Sequence, residues 1–218
     1  MLAPRVHTVA DGYNQISRGP FPEHYVHWDW ITLREANEFK QVIETAPNER
    51  PVQCFIEITP RILAQHLNGG WGRWVIPQKK LGDRFIADFV VGEANSLGHF
   101  WTGVELESPT AKLFTKSGDP AKSLNHAIRQ IQDWRGWLED NRDYARRPRE
   151  DGGLGLKGLK GVLPGLVIIG RRATLSESDN RLRRQYSDTL GIKIRTYDYL
   201  IDEALRRATW LEKGVEIP

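Results

Sequence analysis

The chain has 218 residues, with 31 Lys and Arg against 28 Asp and Glu, for a net charge of +3. That length supports one domain with a sizeable core and a small appendage. The single cysteine, Cys54, excludes a disulfide framework and a cysteine-rich zinc site, and fits a reducing cytosol.

The opening MLAPRVHTVADGYNQ has no basic segment followed by an apolar one, and no run approaches membrane-spanning length. A cytoplasmic protein with no membrane partner is expected. The basic excess, with a pI near 9.0, permits a polyanionic partner without demanding one.

Residues 1 to about 31 lack periodicity and are rich in aromatics, as in PFPEHYVHWDW. They read as an arm packing on its own domain or on a second subunit, with Trp28 and Trp30 as its anchors. An aromatic arm outside any core helix marks an interface, so a homo-oligomer built on dimers is expected. His24 and His27 have no further ligands in register and do not make a metal site. From Thr32, TLREANEFKQVIETA has a capping-box start, Thr32 with Glu35, and is a helix ended by Pro47. PVQCFIEITPRILAQHL is a second helix, with Val52, Phe55, Ile56, Ile62 and Leu63 as its apolar stripe, Pro60 as a break and Asn68-Gly69-Gly70 as its end. Glu57 lies among these apolar residues.

GRWVIPQKK begins the strands, and Pro77 makes it an edge. FIADFVV and FWTGVELE, split by EANSLG, read as an antiparallel hairpin. Alternation puts Trp101, Gly103, Glu105 and Glu107 on one face and Thr102, Val104 and Leu106 on the other. Asp88 sits inside the partner strand, where an ionised group is costly unless it is paired or bound to a cation. Two readings stay open for the acidic residues: a solvated face balanced by Lys112 and Lys116, or a site for a hard divalent cation such as Mg²⁺.

After Pro120, AKSLNHAIRQIQDWRGWLEDN is a long helix. Its stripe is Leu124, Ala127, Ile128, Ile131, Trp134 and Leu138, and Gln130 lies at the stripe's edge. RDYARRPR is a basic cluster. DGGLGLKGLKGVLPG fits no Walker motif and reads as a flexible connector, or as a loop ordered by a polyanion. LVIIG is a strand buried on both faces. SESDNRLRRQYSDTLG is a helix with a Ser/Asp start and a Gly191 stop, IKIRTY is a short strand, and TYDYLIDEALRRATWLEKG is a closing helix with Thr196 as its cap. Strands alternating with helices give an α/β sheet with helical cover.

In VQCFIEITPRIL, ADFVVG, VELESP, AIRQIQDW and the closing LVIIGRR…LRRQYSDTLGIKIRTYDYLI, in that order, the sequence resembles the Shedu family of prokaryotic anti-phage proteins, whose shared domain is a PD-(D/E)xK-type nuclease. The resemblance implies a restriction-endonuclease-like mixed sheet flanked by helices. It divides the chain into an N-terminal arm and helix, residues 1–49, and a nuclease-like domain, residues 50–218.

The activity implied is Mg²⁺- or Mn²⁺-dependent hydrolysis of DNA in anti-phage defence. Asp88 and Glu105 would hold the metal with the Leu106 carbonyl, Gln130 would stand beside the site, and Glu57 would contribute an acid from the helix before the sheet. Glu107 departs from the family's E-x-K form, in which a lysine activates water. Either Lys116 or Lys112 reaches in, or Glu107 is an added ligand, or the domain is a catalytically degenerate module with a binding, regulatory or assembly role. Arg142, Arg146, Arg147, Arg171 and Arg172 would supply sequence-independent contacts to DNA phosphates.

Overall fold

In a computed structural model of the chain, the structure describes residues 19–26, 31–64 and 72–212. The anchors Trp28 and Trp30, His27, and the helix end at 68–70 lie outside the described residues.

Thr32 caps α1 (Leu33–Thr45), with both halves of the Thr32–Glu35 box formed. α2 (Arg50–Ile58) stops at Thr59 and Pro60, before α3 (Arg61–Ala64). Proline has no amide hydrogen and clashes with the preceding turn, so the helix breaks where the sequence places it.

Three strands follow, β1 (Gly72–Leu81), β2 (Phe85–Asn95) and β3 (Gly98–Leu106). α4 (Lys122–Asp140) and α5 (Arg142–Arg146) lead to β4 (Gly165–Ile168), and α6 (Glu177–Leu190) leads to β5 (Ile192–Arg195) and α7 (Tyr197–Glu212). The five-stranded sheet has the order β1-β2-β3-β4-β5. Its first two pairings are antiparallel and its last two parallel. This is a mixed α/β architecture compatible with the restriction-endonuclease-like fold.

Two apolar layers sandwich the sheet. On one face Trp74, Val90, Trp101, Val167 and Ile194 pack against the α4 stripe, all six members of which are buried. On the other, Val75, Phe89, Val104, Leu106 and Ile168 pack against α1, α2, α3 and α7 through Phe39, Ile56, Leu63 and Leu200. β3 therefore alternates as its sequence demands, Trp101 facing α4 while Val104 and Leu106 face α7. Gly92 lies where Trp101 crosses its neighbour strand, and a Cβ there would stand 2.3 Å from the indole. From the arm, Phe21 is buried edge-on against Trp101, with ring centroids 5.6 Å apart.

The glycine-rich segment between α5 and β4 is not a loose connector. Leu154, Leu156, Leu159 and Leu163 are buried in the α4 layer. Its carbonyls accept from the Trp101 indole at Lys157, 3.0 Å, and from Lys79 at Leu154, 2.9 Å. The leucines between the glycines carry enough apolar area to order the loop without a ligand. Arg135 ties α4 to the far end of the sheet, donating to the carbonyls of Leu163 at 2.8 Å, Leu190 at 2.7 Å and Gly191 at 2.7 Å.

Candidate metal centre

The acidic residues gather where β3 ends. Glu105 is on the α4 side of the sheet and only 5% exposed. Gln130 Nε2 donates to its Oε1 at 2.8 Å. Two oxygens then remain without a partner among the described residues, Glu105 Oε2 and Gln130 Oε1. Both are acceptors, and a buried acceptor left bare costs about 1–3 kcal/mol. A proton on Glu105, or a cation between the two, is what the pair lacks.

Glu107 lies just past the strand. Its amide donates to the Ile168 carbonyl at 2.9 Å, and its carbonyl accepts from the Tyr197 hydroxyl at 2.8 Å. Its carboxylate is 3.1 Å from His126 Nδ1 on α4. One ligand atom each from Glu105, Glu107 and His126 fall within 4.8 Å of one another. His126 is four residues before Gln130, so one helix face presents both. That spacing was in the sequence, but attention to the apolar stripe passes over an exposed histidine.

Asp88 reaches this end of β3 by a different route. Pairing of β2 with β3 stops at Phe89 and Val104. The next free amide, that of Leu106, donates to Asp88 Oδ2 at 2.9 Å, while Gln78 Nε2 lies 3.4 Å from Oδ1. The carboxylate thus takes the place of a ladder carbonyl, and Leu106 enters the site through its amide.

The local field is strongly negative. Burial pushes the Glu105 carboxyl up to about 9, helped by the charges of Asp88, Glu107 and Glu49. Asp88 is also raised, first by burial and then by Glu49 and Glu57, and Glu107 is raised chiefly by burial. Glu57 is exposed and accepts from Gln53 at 3.0 Å, so it acts on Asp88 through space. Glu49, just before α2, is a contributor that sequence reasoning missed, because an acid at a helix start looks like ordinary capping. A divalent cation suits this donor set, since it supplies positive charge to three raised or buried carboxylates.

A cleft of about 810 Å³ opens beside Glu107, lined by Lys122, Ser123, His126, Arg129 and Gln132. Lys112 and Lys116 instead line a separate cavity with Thr174 and Asp179. Of the expected phosphate contacts, Arg171 is paired with Asp198 at 2.9 Å and Arg172 with Asp202, both on α7. Arg146 donates to the Leu159 carbonyl at 2.6 Å and holds the glycine-rich segment. Arg142 and Arg147 are exposed.

Fold and site together define an α/β protein with a candidate divalent-cation centre at a strand end. The family model described as Shedu protein SduA, C-terminal, matches residues 46–201. The chain belongs to that family, which is associated with anti-phage defence. No curated protein matches it. Among the described residues no helix is long and apolar enough to cross a membrane.

Proposed function

We propose that the chain is a divalent-metal-dependent deoxyribonuclease of anti-phage defence. The observation that carries this reading is a buried Glu105 with a bare oxygen, one ligand atom of which lies within 4.8 Å of one each from Glu107 and His126. Glu105, Glu107 and His126 would hold Mg²⁺ or Mn²⁺, and Asp88 would shape the site from the Leu106 side. The cation would supply Lewis acidity toward a phosphoryl oxygen and toward the attacking water.

The remaining work falls to the chain. Gln130 fixes the Glu105 carboxylate, so its second oxygen faces the ligand without reorganisation. Tyr197 and Ile168 pin both backbone groups of Glu107 and keep its side chain beside His126. Lys122 and Arg129 line the cleft next to Glu107 and are the cations best placed to receive DNA phosphates there. Lys122 also takes over the stabilising charge of the family's lysine, and Glu107 orients the His126 ring through Nδ1.

A carboxylate at position 107, where the family has lysine, favours a second reading, a catalytically degenerate module that binds or regulates. Cleavage of linear, nicked and single-stranded DNA with Mg²⁺ or Mn²⁺ separates the two. Metal-dependent cleavage by the native chain, lost in Glu105→Ala and Asp88→Ala while both stay folded, is the expected result. A native chain inert with both metals leaves the degenerate module. The proposed homo-oligomer is tested independently by light scattering.

A further inference from the structure

A second cavity, of about 540 Å³, lies on the opposite face of the sheet. Its floor includes Val91, Thr102 and Leu166, the α7 side of their strands, in the stretch where β4 begins. Glu105, by contrast, faces α4 and pairs with Val167, deeper along β4. Glu105 and the cavity floor lie on opposite faces of the sheet, while Ile194 and Arg195 of the lining stand level with Glu105 and Leu106, two strands away.

The walls are basic. Arg183 and Arg184 come from α6, Lys193 and Arg195 from β5, and Asp188 is the one acid among the lining residues. None of the four cations is in a salt bridge among the described residues. Arg183 donates to Asn180 Oδ1 at 2.9 Å and is half-buried. Burial, then the neighbouring charges of Arg195, Arg184 and Arg172, hold its guanidinium below the usual range. Elsewhere the protein neutralises its clustered arginines, Arg171 with Asp198 and Arg172 with Asp202. Here like charges face a cavity and only Asp188 opposes them. Arg195 lies over the Tyr199 ring, 5.2 Å from its centroid, and adds a flat aromatic wall.

We propose that this cavity binds a phosphate-bearing ligand at a site separate from the acidic centre. Guanidinium groups recognise phosphate oxygens in a bidentate fashion. An anion would relieve the mutual repulsion of Arg183, Arg184 and Arg195. The Tyr199–Arg195 wall suits a base attached to that phosphate. Free nucleotides and the DNA backbone share this chemistry.

The test uses the full chain in EDTA, so that the acidic centre holds no metal. Calorimetry with ATP and with inorganic pyrophosphate forms one arm, and fluorescence anisotropy with duplex DNA the other. The variant is Arg184→Gln/Arg195→Gln, two exposed positions, with Lys193→Gln as a second variant and thermal melts to confirm folding. Binding of ATP or pyrophosphate weakened at least ~10-fold by the double substitution, and unchanged by Glu105→Gln, supports the site with a free phosphate ligand. The same loss confined to DNA supports the site with backbone phosphate as its source. Binding of all three probes equal in the native chain and both folded variants, or absent throughout, overturns the proposal. None of these outcomes depends on cleavage, so the nuclease reading stands or falls separately.

Discussion

Replacing Glu105 with glutamine should stabilise the metal-free protein at neutral pH while it abolishes metal binding. Burial and neighbouring acids raise this carboxyl from 4.5 to about 9. The folded chain therefore keeps a proton that the unfolded chain releases, and stability falls as pH rises through that window. Between pH 4.5 and 7 the loss amounts to about 3 kcal/mol, at roughly 1.4 kcal/mol for each pH unit. Glutamine has the same shape, can keep a hydrogen bond with Gln130 and titrates no proton, so it escapes this loss.

Asp88 and Glu107 are raised too. They slope both proteins in the same direction, and the informative quantity is the difference between native chain and variant. Urea unfolding in EDTA at pH 5, 7 and 8.5 measures it. Near-equal stabilities at pH 5 should open to a variant advantage of about 3 kcal/mol at pH 7, and saturating Mn²⁺ should rescue the native chain alone. A variant less stable than the native chain at pH 7 in EDTA, or a difference that does not change with pH, would refute the buried-acid argument.

Three further outcomes follow from the geometry. His126→Ala should weaken Mn²⁺ binding by about tenfold or more in calorimetry, because it removes one of the three ligand groups gathered there, while Lys116→Ala, in its separate cavity, leaves it unchanged. Gly170→Ala should cost about 2 kcal/mol or more in a thermal melt, since its φ is +63° and a Cβ would stand 2.5 Å from the Ala111 carbonyl oxygen. Tyr197→Phe removes the one hydroxyl on the Glu107 carbonyl and should cost about 1–3 kcal/mol by denaturant unfolding; an unchanged midpoint would show that water replaces the bond at no cost.

The elements most legible in the sequence were those governed by local rules. Thr32 and Ser176 both form reciprocal caps, Gly191 closes α6 in the left-handed conformation, and the α4 stripe buries every apolar position it promised. Glu105 was legible through the alternation of β3. Asp88 was legible as an acid inside its strand, but its direction was not, because the alternation of β2 fails beside it: Ala87 and Val90 pack in the same layer. Opposite that point Gln78 takes a φ of +45°, and the Asp88 carboxylate accepts from the Leu106 amide on the next strand. The leucines of the glycine-rich segment follow no fixed period, so their burial was hidden. Glu49 joins the site only through tertiary packing, which no local pattern records.

The attachment of α6 has a consequence for hydrogen exchange. The helix has no fully buried residue; it is held by the half-buried Leu182, Tyr186 and Leu190 and by the Arg135 bonds to its last carbonyls. Helices so weakly embedded open without the rest of the domain. Amides of α6 should therefore exchange through a local event while those of α4 and β3 wait for global unfolding, and an anion seated on Arg183 and Arg184 would slow exchange in α6 first.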